Sequence, residues 1–143
     1  MMKMRILLVA SALLVTLRAF AHHSVAMFDN GALVVLKGVV VTFSYVNPHV
    51  WISIQGSPDG TGEAARWDIE ATSPSTLARI GIAGDALKSG DPVTIAMRPL
   101  RDGRRGGSMV FVITPDGISH GANPSELGLH LEDLKPGQAQ ARP

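Results

Sequence analysis

Runs of β-branched residues, cut by turn signals and interrupted by a single helix start, constrain this chain more than any other feature. Leu33 to Val46 carries Val34, Val35, Val39, Val40 and Val41. That density suits a pleated strand and disfavours a helix. Gly38 interrupts the run, which predicts a bend or bulge in a long strand. Asn47-Pro48 is a turn signal. Val50 to Ile54 reads as a second strand, and Ser57-Pro58-Asp59-Gly60 as the turn after it. From Ala65 to Ala71, Trp67, Ile69 and Ala71 alternate with Arg66, Asp68 and Glu70. That period marks a half-buried strand with one charged face.

The one helix start is Ser73-Pro74. Serine can cap free backbone N–H groups, and proline fits the first helical position. Leu77 and Ile80 lie three apart, on one predicted face, and Gly81 is the predicted stop. Val93 to Met97 and Ser108 to Thr114 are the fourth and fifth predicted strands. Between them, Arg98 to Gly107 is polar and glycine-rich and reads as an exposed loop. Five strands with one helix between the third and fourth define a mainly β, OB-like Greek-key barrel. The predicted barrel spans residues 22–118. The tail, residues 119–143, reads as loosely ordered, with Leu127, Leu129, Leu131 and Leu134 able to form a helical turn.

The first 21 residues carry a different pattern. Lys3 and Arg5 precede an apolar run from Ile6 to Leu17, and Ala19-Phe20-Ala21 closes it. Basic, apolar, then small is the order of a secretory signal. A membrane span needs about 20 apolar residues, so cleavage after Ala21 is expected rather than anchoring. The expected location is periplasmic or secreted. Three of the 13 basic residues, Lys3, Arg5 and Arg18, lie in that leader, so 10 remain against 12 acidic ones, a net charge of −2. That balance, with few aromatic residues, argues against nucleic acid as a partner. There is no cysteine, which excludes disulfides and thiol catalysis.

Several segments resemble an exported bacterial family of uncharacterised role, domain of unknown function 6152. They are Ala21-His22-His23-Ser24, Leu36-Lys37-Gly38-Val39-Val40, Val46-Asn47-Pro48-His49-Val50-Trp51-Ile52, Trp67-Asp68-Ile69-Glu70, Leu87-Lys88-Ser89-Gly90-Asp91 and Pro115-Asp116-Gly117. The resemblance runs from about His22 to Ser119. It implies export and a small β-barrel, and brings no activity or catalytic residues.

Cleavage after Ala21 would make His22 the first residue. Its free amine and its ring Nδ1 could then hold one metal ion, with His49 as a third nitrogen donor. Imidazole suits copper, and divalent copper heads the first-row affinity order. His23, through the amine and the intervening amide, offers a second route to copper. Against this, His49 could simply bond a backbone carbonyl and pack on Trp51 or Tyr45. His120 and His130, in or near the tail, are weaker candidates.

The loop from Arg98 to Gly107 holds Arg98, Arg101, Arg104 and Arg105. Arginine forks recognise carboxylate and phosphate, so the loop could bind an acidic sugar, a phosphorylated head group or an acidic protein patch. It could equally be a solvated turn. Tyr45, Trp51 and Trp67 offer a stacking platform. Asp68 and Glu70 share one side of a strand and read more naturally as a solvated face than as an acid–base pair. No zinc-protease segment or phosphate loop is present. The expected role is therefore a binding or accessory module rather than an enzyme. It would either hold copper through His22, His23 and His49, or bind a polar ligand or protein without metal through Tyr45, Trp51, Arg101, Arg104 and Arg105.

Overall fold

Gly38 and Gly56 face each other across the first hairpin, and neither position has room for a side chain. A Cβ on Gly38 would lie 2.6 Å from the Gly56 Cα. The computed structural model describes residues 26–136, and this contact lies between strands β1 (Val34–Ser44) and β2 (Trp51–Pro58). The bulge expected at Gly38 sits further along, between Val40 and Thr42. Gly38 itself serves close approach of two backbones.

β2 pairs antiparallel with β3 (Ala65–Glu70), and β1 pairs antiparallel with β4 (Pro92–Pro99). β4 in turn pairs with β5 (Gly106–Ile113). A short parallel ladder closes the sheet into a five-stranded barrel, with Asp68, Ile69 and Glu70 of β3 opposite Gly106, Gly107 and Ser108 of β5. This is the expected OB-type order. Helix α1 (Pro74–Arg79) falls between β3 and β4, with the Ser73 side chain accepting the Thr76 N–H at its start. Gly81 follows with φ +89°, a conformation that suits glycine. Ile80 does not share the buried face with Leu77: it ends the helix and is 36% exposed, while Leu77 is fully buried.

Inside the barrel, Leu36, Val40, Ile52, Ile54, Ile69, Ile95, Met97 and Val112 form the core, and Leu77 and Ile82 pack into it. β4 and β5 are apolar on their outer face too. Ala96, Phe111 and Ile113 point away from that core and are buried in a second cluster.

The cover for this outer face comes from the segment read as a loose tail. It adds strand β6 (Ser119–Gly121) to β5, then a 3₁₀ turn (Pro124–Leu127) and helix α2 (Leu131–Leu134). Leu134 is buried against Ala96, Phe111 and Ile113, with Leu127 and Leu129 half-buried beside it. The leucines fall in two short turns rather than one. An apolar face on the outside of a barrel must be covered, and a short run of spaced leucines suffices.

Leu134→Ala is expected to lower the unfolding free energy by about 2 kcal/mol, the small end for a buried leucine near a surface. Denaturant unfolding measures it. An unchanged midpoint would mean that this segment does not cap the barrel in solution.

Candidate functional site

Inward-facing Ile52, Ile54 and Ile69 force their neighbours on β2 and β3 to the outer face. Trp51 pairs with Glu70 and Ser53 with Asp68 in the ladder, so these four form one outward patch. Trp51 is 44% exposed. The Asp68 carboxylate accepts the Ser53 hydroxyl and lies 3.4 Å from Arg66 Nε.

The arginine loop reaches this patch because the barrel closes beside it. Gly106 and Gly107 are buried strand residues, not loop, so the loop proper is residues 100–105. A Cβ on Gly106 would lie 2.5 Å from the Asp68 carbonyl oxygen, and one on Gly107 2.8 Å from Met97 Sδ. Glycine here lets β5 dock on β3 and β4 at backbone distance.

Trp51, Asp68 and Glu70 on one side and Leu100, Arg104 and Arg105 on the other enclose a cleft of about 450 Å³, with Met27 and Phe28 completing it. The two lead-in residues are tied down from the loop. Arg101 donates its backbone N–H to the Met27 carbonyl at 2.9 Å and its Nε–H to the Phe28 carbonyl at 3.0 Å. The Asp29 N–H donates to the Pro99 carbonyl at 2.8 Å.

The four arginines thus divide their work. Arg98 donates to the Ala32 carbonyl at 2.8 Å, so it and Arg101 clamp the lead-in. Arg101 does not line the cleft, a departure from its expected ligand role. Arg104 gives its N–H and its Nε–H to the Asp102 carboxylate, at 3.1 and 2.8 Å. Those two donors hold the Asp102 carboxyl below the usual aspartate range. Arg105 has no ion pair or side-chain hydrogen bond among the described residues, although it lines the cleft.

Tyr45 is elsewhere. Its hydroxyl lies 2.7 Å from the Pro74 carbonyl and 3.0 Å from that of Ile82, bridging the two ends of the helical segment. Its ring lies over Gly84 and against Phe43, with the two ring centroids 5.6 Å apart. It locks the β3–β4 connection and is not among the residues that line this cleft. Trp67 is also structural, donating its indole N–H to the Gly56 carbonyl at 3.2 Å.

His49 contacts the Glu70 carboxylate through Nδ1, with side-chain exposures of 43% and 13%. This pairing, like the part played by Met27, Phe28 and Leu100, was not read from the sequence. The register Trp51↔Glu70 holds the clue for His49, two residues before Trp51. His22 and His23 lie outside the described residues. His120 is structural, its Nδ1 2.8 Å from the Ile80 carbonyl oxygen. His130 lies in a separate hollow with Lys37 and Asp133. Among the described residues, no group of three or more histidine, aspartate or glutamate side chains could hold a metal.

Fold and site together define a small OB-type barrel with an open cleft between its β2–β3 face and the β4–β5 loop. The family model described as a family of unknown function, DUF6152, matches residues 10–109, and the chain belongs to that family. No curated protein and no solved structure matches it.

Tyr45→Phe is expected to cost about 1 kcal/mol in unfolding free energy, the usual worth of a buried hydrogen bond. It should leave the cleft intact, which a paired thermal melt and a Trp51-selective fluorescence quenching curve would check. Altered quenching would place Tyr45 in the site after all.

Proposed function

We propose that the protein is exported, loses residues 1–21, and works outside the cytoplasm as a binding module for an anionic ligand with a flat apolar face. Export is supported by the basic, apolar and small order of the leader. No helix among the described residues is long and apolar enough to cross a membrane.

The carrying observation is the unequal occupation of the cleft's charges. Asp68 is engaged by Ser53 and Arg66, Glu70 by His49, and Arg104 by Asp102. Among the described residues, Arg105 is the cleft charge whose guanidinium has no partner, and it lies in the same cleft as the exposed ring of Trp51. A planar fork recognises carboxylate, and an indole face stacks on a flat apolar surface. An acidic sugar offers both. The alternative of a protein partner's acidic patch lacks a feature as specific as the neighbouring ring and cation.

The test is calorimetric titration of the mature protein with an oligogalacturonate, beside a neutral oligosaccharide of the same length. Binding should be selective for the acidic sugar. Arg105→Ala should weaken it ten- to a hundredfold, as expected for a charged hydrogen bond of about 1.5–3 kcal/mol. Trp51→Ala should weaken it also. Equal affinity for both sugars, or indifference to both substitutions, would sink the reading.

A further inference from the structure

We infer that the same cleft takes planar aromatic carboxylates, and holds them more tightly than uronates of equal charge. The inference rests on the reading that Trp51 and Arg105 bind an anion with a flat face, and it names what that face is.

The apolar lining of the cleft favours a ring of carbons over a ring of hydroxyls. Met27, Phe28 and Leu100 lie in it with Trp51. An isolated antiparallel bridge pairs Phe28 with Leu100, and residues directly opposite in such a pair share one face. Met27 and Trp51 are 40% and 44% exposed, so a thioether and an indole stand open to a ligand. A thioether packs well at the edge of an aromatic ring, and an indole stacks offset on its face. Pockets for small ligands are mostly apolar with a few placed polar groups. This cleft, at about 450 Å³, has that make-up.

The polar lining points the same way. Asp68 accepts the Ser53 hydroxyl, Glu70 faces His49, and Arg104 is bonded to Asp102. Among the described residues, Arg105 is the lining charge without a partner. One guanidinium fork meets one carboxylate. A uronate brings the same carboxylate, and with it hydroxyls around the ring that each need a partner once buried. In this cleft those hydroxyls compete with the existing pairs or stay in the water at its mouth. An aromatic ring brings none and turns its whole face to the apolar wall.

That wall is also built before a ligand arrives. Arg101 holds the Met27 carbonyl through its backbone N–H and the Phe28 carbonyl through its Nε–H. A wall that needs no ordering on binding keeps affinity that a loose segment would lose.

The experiment is calorimetric titration of the protein purified after expression of the full chain, with three probes. They are trans-cinnamate, its neutral counterpart cinnamyl alcohol, and methyl galacturonoside, which carries one carboxylate on a hydroxylated ring. Cinnamate should bind about tenfold more tightly than either of the others, the effect of one lost charged hydrogen bond or one unpaired hydroxyl. Arg105→Ala should bring cinnamate down to the level of the alcohol. Met27→Gln, with circular dichroism unchanged, should weaken cinnamate roughly threefold and leave the galacturonoside as it was. A galacturonoside that matches or exceeds cinnamate, with both dependent on Arg105, overturns the inference and leaves the anion reading standing. A cinnamate preference indifferent to Met27→Gln also overturns it, since the apolar wall would not be what selects the ring. If Arg105→Ala alters binding of no probe, the anion reading falls and the inference falls with it.

Discussion

The three-residue parallel ladder between β3 and β5 is the contact on which the rest of the molecule depends. Without it, the strands form an open antiparallel sheet with two exposed edges. With it, the sheet becomes a barrel, and the loop before Gly106 is brought to the side of Asp68 and Glu70. The ladder exists because Gly106 and Gly107 carry no side chain where the β3 and β4 backbones press closest. Closure and cleft formation are thus one event. The same glycines that complete the core set Arg105 across from Trp51.

The second constraint is that β4 and β5 are buried on both faces. Ile95, Met97 and Val112 fill the barrel, whereas Ala96, Phe111 and Ile113 need a separate cover. The segment after β5 supplies it, with β6 extending the sheet and Leu127, Leu129 and Leu134 closing over the outer surface. His120 ties this added layer back to the end of α1 through the Ile80 carbonyl. The cap therefore sits away from the cleft and leaves the β2–β3 face open.

The cleft's electrostatics follow from local pairing. Most charges around it are neutralised by a neighbour on the same element or an adjacent strand, such as Arg104 by Asp102 and Asp68 by Arg66. Such exposed pairs add little stability. Their consequence is selective: among the described residues they leave Arg105 as the charged group of the cleft without a partner. The N-terminal lead-in, held by Arg98 and Arg101, brings Met27 and Phe28 to the same place.

The sequence by itself determined the strand order, the one helix and its serine cap, because β-branched runs, alternation and capping are local signals readable from neighbours in the chain. It also marked Trp51 and the arginine loop as surface features. It could not separate the roles of four similar arginines, nor tell Tyr45 from Trp51. Those roles depend on which distant backbone atoms lie within hydrogen-bond reach: the Ala32 and Phe28 carbonyls for Arg98 and Arg101, the Pro74 and Ile82 carbonyls for Tyr45. The need to cover the outer face of β4 and β5 was not read from the sequence, and the leucines that cover it read as a loose tail, since four spaced leucines carry no strong periodicity. Only the tertiary structure paired His49 with Glu70, because that contact follows from the β2–β3 register and the turn before Val50, and a register is a relation between strands rather than a property of either one.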